Sequence, residues 1–286
     1  MPALIILRGG GDLASGVALR LHRAGLNVAI TELPQPLAVR RSVSFAEAIY
    51  EKQITVEGIT GRLVSDPADT LKILNVLAKS QIPVLIDPDC SAAKTLNPIA
   101  IVDARMLKRP PEPLSHRAAL YLGLGPGFTA PIHCHAVIET QRGHTLGRVI
   151  WEGATLSDTS QPEGDPQRVL RAPQDGIILN HKQIGDHCEE GDVIAEIEGA
   201  GDRGMGGRGD METGGEIVKI VSPFKGILRG LIHPGLSVTS GMKIGDIDPR
   251  DDARLCQLVS EKALAIGGGV MEALLTRPEV RSRLWI

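Results

Sequence analysis

Gly9, Gly10 and Gly11 follow an apolar run, Leu4-Ile5-Ile6-Leu7, and precede a segment with Leu13, Val17 and Leu21 on one helical face. Read physically, this is a buried strand, a tight turn and a helix whose first N–H groups lack internal partners. Such a helix start attracts anions, and glycines let a phosphate approach the main chain. Gly9-x-Gly11-x-x-Ala14 fits the dinucleotide-binding fingerprint, in which a small third residue lets helix and strand pack closely. The next apolar run, Val28-Ala29-Ile30-Thr31, ends in Glu32, where such folds place an acid that hydrogen-bonds a ribose. Gly9, Gly10, Gly11, Asp12, Leu13, Ala14 and Ser15 are therefore expected to hold phosphate and Glu32 to meet a ribose, with NAD(P) or another nucleotide as the cofactor. The competing reading is a glycine turn that joins strand to helix and holds no ligand.

Three further groups carry chemistry-bearing residues. His133 and His135 alternate about Cys134, with Glu139 and His144 nearby, and on a strand the two histidines share a face. Cys134 would then point away and no second cluster completes a tetrahedral site, so satisfied or surface histidines are favoured over a metal. Asp87, Asp89 and Cys90 lie just past an apolar run, where carboxylates could meet a ribose, a magnesium ion or a substrate. An Asp-Pro-Asp turn bonded to its own backbone is the competing reading, and a nucleophilic Cys90 would need a neighbouring base or cation. Arg40 and Arg41 could meet a phosphate, or form a surface pair.

The elements that must position these residues alternate. Short β-rich runs at Pro83–Asp87, Ile99–Asp103 and Ala119–Gly123, with near-continuous apolarity, suggest strands covered on both faces. Ile54–Val56 and Arg62–Val64 read as a hairpin, and Asp66-Pro67-Ala68-Asp69 starts a helix with a stripe of Leu71, Leu74 and Leu77. The expected fold class is α/β, with a Rossmann-like nucleotide-binding domain over residues 1–156. A polar, breaker-rich stretch from Ser157 to Gln167 makes the boundary. Beyond it the pattern small-Pro-x-x-Gly-apolar occurs twice, at Ala172–Ile178 and Ser222–Leu228, each copy followed by glycine turns. Two such β units resemble the barrel-sandwich hybrid of biotinyl and lipoyl carriers, here expected over 168–250. The stretch between them, Gly199 to Gly215, holds Arg203 and Arg208 but no lysine, so no covalent biotin or lipoate is expected; this glycine-rich stretch should be mobile. Residues 251–286 read as a helical segment, interrupted at Gly267-Gly268-Gly269. A second anion-binding loop there is disfavoured, because no strand precedes it.

Six motifs combine into a family resemblance. They are Ile5–Gly16, Val39–Ala48, Gly123–Phe128, Ile138–His144, Gly226–Ile232 and Lys243–Arg250. Together they span nearly the whole chain and look like the YqeB family. Members are described as proteins of the selenium-dependent molybdenum hydroxylase system, which implies an accessory or maturation role with the hydroxylase or its maturation machinery as partner. No catalytic residue carries over from the family, and it often has an acid where His133 stands, which argues against an essential His133. A similarity to the Rossmann-containing XdhC maturation factors would fit the first half as fold-level analogy.

Composition narrows the alternatives. The 286 residues are 42% apolar with a formal net charge of −3, so nucleic acid and anionic lipid are not expected partners. Few aromatic residues, 2% of the chain, leave little for a base-stacking platform. No stretch reads as a signal peptide or membrane span, and Cys90, Cys134, Cys188 and Cys256 are scattered, as expected of reduced thiols in a cytoplasmic protein. A homo-oligomer is left open. A free-standing NAD(P)-dependent oxidoreductase would need a proton donor, and neither Tyr50 nor Tyr121 begins a Tyr-x-x-x-Lys pair. A non-catalytic scaffold that recruits a partner is the third reading.

Overall fold

The computed structural model describes residues 3–113, 118–157, 165–199 and 215–285. The chain divides into two units: Met1–Pro36 with Val43–Ser160 and Leu258–Ile286, and Leu37–Ser42 with Gln161–Gln257. The expected boundary lies largely in 158–164 and the stretch between the repeats in 200–214, both outside the described residues.

The first unit contains β1 (Leu4–Arg8), α1 (Asp12–Arg23), β2 (Asn27–Glu32), α2 (Ala48–Glu51), β3 (Gln53–Val56), β4 (Ile59–Val64), α3 (Thr70–Ala78), β5 (Ile82–Ile86), α4 (Ala93–Leu96), β6 (Ala100–Asp103), β7 (Leu120–Leu124), β8 (Thr129–Ala130), β9 (Ala136–Ile138), β10 (Val149–Ile150) and β11 (Gly153–Ala154), closed by α5 (Glu261–Thr276) and α6 (Pro278–Arg281). Nine strands form one sheet in the order β10-β9-β7-β6-β1-β2-β5-β4-β3, while β8 and β11 pair separately. From β9 to β4 every pairing is parallel, whereas β3 and β10 close the edges antiparallel.

Alternation along β1 assigns the two faces. Ile5 and Leu7 are fully buried with Val17 and Leu21 of α1 and Ile266 and Val270 of α5. Leu4 and Ile6 join Cys90, Ala93 and Ile101 on the opposite face. Each such side chain contributes about 1.5–3 kcal/mol by leaving water, and all five residues of β1 are buried. Of the expected leucine stripe of α3, Leu77 packs against the core. Ile73 and Val76 are buried against Val64 and Leu85, while Leu71 is 76% exposed. The Asp69 carboxylate caps the helix at the Lys72 N–H (2.9 Å).

α5 runs unbroken through Gly267-Gly268-Gly269, where the sequence suggested an interruption. The reason is close approach. A Cβ at Gly267 would sit 2.8 Å from Arg20 Cγ and 3.1 Å from the Gly16 carbonyl oxygen, and one at Gly16 would sit 2.5 Å from Ala263 Cβ. A Cβ at Gly269 would run into the Gly147 carbonyl oxygen. The glycines that weaken the helix intrinsically allow it to lie backbone against backbone on α1.

The second unit contains β12 (Val169–Arg171), β13 (Gly176–Asn180), β14 (His187–Cys188), β15 (Val193–Glu198), β16 (Ile217–Val221), β17 (Gly226–Leu231), β18 (Ser237–Val238) and β19 (Lys243–Asp248). They form two four-stranded antiparallel sheets, β12-β19-β17-β14 and β16-β15-β13-β18. Arg40 donates to the Leu255 carbonyl (3.1 Å) and Arg41 to the Leu231 carbonyl (2.7 Å), so both arginines bind the second unit's own backbone.

The expected fold class is therefore corrected. A Rossmann-like domain joined to a biotinyl- or lipoyl-type barrel-sandwich hybrid is not what forms. The structure is a nine-stranded mixed α/β sheet plus a unit of two antiparallel sheets. Alternating buried strands and helices report parallel pairing, but they cannot report the antiparallel edges or a face covered by a helix from the far end of the chain. The repeated Pro-x-x-Gly motif reports a local need. Gly176 opens β13 against the Glu198 carbonyl and Gly226 opens β17 against that of Asp248, each too close for a Cβ, and the two glycines belong to different sheets. Among the described residues no helix is long and apolar enough to cross a membrane.

Two of the glycines of α5 separate cleanly in a stability measurement. Gly269→Ala should destabilise the protein by about 1–3 kcal/mol through overpacking. Gly268→Ala, where a Cβ meets nothing within 4 Å, should stabilise it by about 0.5–1 kcal/mol. Urea unfolding of both variants decides; equal effects would refute the close-packing account.

Candidate functional site

The glycine turn lies where β1 gives way to α1, and each of its residues has a distinct role. Gly9 has φ +92°, a left-handed conformation that favours glycine, and donates its N–H to the Thr31 carbonyl at 2.8 Å. Gly10 is buried, and a Cβ there would lie 3.0 Å from both Ala46 N and Ile30 Cγ2. Its N–H donates to the Glu32 carboxylate at 2.6 Å, while its carbonyl accepts from the Ala46 N–H at 2.9 Å and the Ser15 hydroxyl at 3.2 Å. Gly11 is the N-cap of α1, has no side-chain cap, and would place a Cβ in open space. Asp12 supplies an acid in the first turn, which favours the helix dipole. Leu13 packs against the main core and Ala14 is buried in it.

Ser15 and Glu32 are thus engaged within the protein. The buried Ser15 hydroxyl also accepts the Phe45 N–H at 2.8 Å, so it fastens the segment after β2 onto the glycine turn. Glu32 accepts from the Leu33 N–H at 2.7 Å as well as from Gly10. Burial lifts its carboxyl above the ordinary 4.5, against the lowering effect of those two bonds.

On the opposite face of the sheet, at the carboxyl end of the same strands, lies a polar cluster. Arg8 and Asp103 are register neighbours on β1 and β6. Asp103 is fully buried and accepts from four side-chain donors on three residues: Arg8 Nη1 at 3.2 Å, Arg105 Nε at 2.9 Å, Arg105 Nη2 at 2.8 Å and the Tyr121 hydroxyl at 2.9 Å. Arg8 is 6% exposed and also donates Nη2 to the Pro88 carbonyl at 3.1 Å; its Nε has no hydrogen-bond partner among the described residues. Burial and the neighbouring Asp103 carboxylate push the Tyr121 phenol well above its usual value. Burial pushes the Cys90 thiol up to about 11, so Cys90 stays protonated and is no nucleophile near neutral pH.

Asp87, His133, His135 and Glu139 are internally satisfied, while Asp89 and His144 are exposed. Asp87 accepts from the Ser91 N–H and hydroxyl, both 2.8 Å, and from the Ala92 N–H at 2.9 Å, which is the self-bonded turn. His133 and His135 accept backbone N–H groups of Thr129 and Tyr121 at Nδ1, at 3.0 and 2.9 Å. Their neutral rings therefore carry the proton on Nε2 and offer no lone pair to a metal. Glu139 accepts from the Thr140, Gln141 and Leu156 N–H groups.

With this geometry in place, comparison with known proteins is informative in one respect. No family model matches the chain. Over 276 residues, 95% of its length, the chain is 43% identical to "Uncharacterized protein YqeB" of Escherichia coli (strain K12). The chain belongs to the YqeB family. It spans about half the length, 47%, of the curated relative it matches. Solved structures offer only faint likenesses. The product-bound ectoine utilization protein EutE (DoeB) of Ruegeria pomeroyi is 12% identical with a TM-score of 0.27, covering 86% of this chain and 85% of that one. A succinylglutamate desuccinylase/aspartoacylase of Rhodobacter sphaeroides is 15% identical with a TM-score of 0.27, covering 88% and 87%. Overlaps this loose transfer neither a fold nor an activity.

The sequence reading of this YqeB family member missed Arg8, Asp103, Arg105 and Tyr121. A signal was present: an arginine ends an otherwise apolar strand just before the turn, and Asp103-Ala104-Arg105 follows another such strand. Two measurements follow from the site. Asp103→Asn leaves the buried Arg8 without its counter-charge and should cost about 3–5 kcal/mol in urea unfolding; a loss below about 1 kcal/mol would show the pair to be dispensable. For Glu32 the folded state holds its proton more tightly than the unfolded chain does. Its contribution to stability is complete below pH 4.5 and is lost as pH rises through the raised value. Wild type should show that decline and Glu32→Gln should lack it; equal slopes would contradict the assignment.

Proposed function

We infer that the chain binds a phosphate-bearing nucleotide at the start of α1 and acts as an accessory factor of a selenium-dependent molybdenum hydroxylase system. One observation carries the nucleotide half. The N-cap, Gly11, has no side chain to cap α1 and a Cβ there would meet nothing within 4 Å, so the approach beside Gly11 is open to an incoming anion. The strand order supports the place: β1 has β2 on one side and β6 on the other, and open α/β sheets bind ligands outside the carboxyl ends at such a switch. Glu32 supports the ribose contact. Each of its oxygens accepts one N–H, and a carboxylate has about four lone-pair sites, so both can still take a hydroxyl. The accessory half rests on family kinship and attaches to no particular residue.

Gly11→Glu should abolish nucleotide binding by placing a charged side chain in the approach to α1. Asp12→Asn should tighten it by about two- to fivefold, by removing a like charge from the first turn. Calorimetry with NADH, NADPH and ADP tests both. Wild-type protein that takes up none of the three, or a Gly11→Glu variant with undiminished affinity, would end the nucleotide reading.

A further inference from the structure

We propose that Arg105 is the second anion-binding residue of this crevice, and that the ligand carries two linked phosphates, one at the start of α1 and one at Arg105. The proposal rests on the nucleotide reading above and adds to it a residue and a ligand class. Arg105 follows β6 and lies against the glycine turn: a side-chain carbon on Gly9 would sit 3.5 Å from the Arg105 Cα. The start of α1 and the Arg105 backbone therefore both adjoin Gly9, across which a ligand with two linked phosphates would lie.

The guanidinium is fixed before any ligand arrives. Nε and Nη2 grip the two oxygens of Asp103 in a fork, and Asp103 is held in turn by Arg8 and Tyr121. Nη1 is left facing outward, its recorded partner being Glu112 at 3.5 Å, a carboxylate 67% exposed. The Arg105 side chain is 25% exposed, so the outward edge can be reached from solvent. Behind it, the buried Arg8 Nε has no partner among the described residues. Two guanidinium groups share one buried carboxylate, and the cluster has more donors than acceptors. An anion at the outward Nη1 of Arg105 answers that excess of positive charge without reaching Arg8. Asp103, Arg8 and Tyr121 are positioning residues in this arrangement; Arg105 alone touches the ligand.

Calorimetry with inorganic pyrophosphate and inorganic phosphate, on the full chain, separates the possibilities. Wild type should prefer pyrophosphate. Arg105→Gln should weaken pyrophosphate by about tenfold, a 1.4 kcal/mol change, leave phosphate within about twofold, and flatten the salt dependence of pyrophosphate binding. Glu112→Gln, a surface change that should not disturb folding, should tighten pyrophosphate by about two- to threefold by removing the competing carboxylate. If wild type binds neither anion, the nucleotide reading itself fails. If it binds them but Arg105→Gln weakens both equally or neither, the role of Arg105 is overturned while the α1 site stands. If Arg105→Gln does not fold, Glu112→Gln decides, and unchanged affinity overturns the proposal.

Discussion

The peptide groups flanking Gly10 are where three separate stretches of the first unit meet. The N–H is taken by Glu32 from the end of β2, and the carbonyl receives Ala46 and Ser15. Ser15 extends the tie to Phe45, which is fully buried and closes over Gly61; a Cβ there would lie 2.6 Å from the Phe45 ring. These bonds add to the Gly9–Thr31 bond in fixing the start of α1 against β2, and they tie it to the segment that follows β2. Buried backbone groups left unpaired cost about 1–3 kcal/mol each, so the arrangement is strongly self-consistent. It also divides labour among three identical residues. Gly9 supplies a left-handed turn, Gly10 permits a close approach, and Gly11 leaves a gap.

Much of the first unit was legible because its signals are local. Apolar runs of four or five residues mark β1, β2, β5, β6 and β7, and period-3.6 spacing marks α1. What escaped was decided at a distance. Leu71, Leu74 and Leu77 look as good a stripe as Ile73 and Val76, yet the packing of α3 over β4 and β5 buries Ile73 and Val76, keeps Leu77 beside them and leaves Leu71 out. Gly267-Gly268-Gly269 reads as a break until α1 is placed alongside with Gly16 facing it. The Pro-x-x-Gly repeat reported a glycine needed where one strand crosses a partner carbonyl, and it was silent about which sheet each copy would join.

The site shows the same division. The glycine turn was visible because its chemistry lies within six consecutive residues. The Arg8–Asp103–Arg105–Tyr121 cluster was not, because a parallel sheet brings together residues about a hundred positions apart whose only shared property is the register of β1, β6 and β7. Conversely, Asp87, His133 and His135 drew notice by residue type alone, and each proves to hold a nearby backbone N–H. Residue type announces what a side chain could do; its hydrogen-bond partners show whether that capacity is already taken.

Charge around the crevice bears on the kind of ligand such a site could accept. Two acids, Asp12 and Glu32, flank the open end of α1, and an anion arriving there meets like charge as well as helix N–H groups. A bare phosphate gains least from that environment, since it has no donor to offer the carboxylates. A ligand with hydroxyls beside its phosphate would turn the same acids into acceptors, and a second phosphate would bring the Arg105 cation into play. In the proposed reading both features would raise affinity without loosening the bonds that pin Gly10. In that sense the residue that fastens the turn, Glu32, would also help to choose what binds beside it.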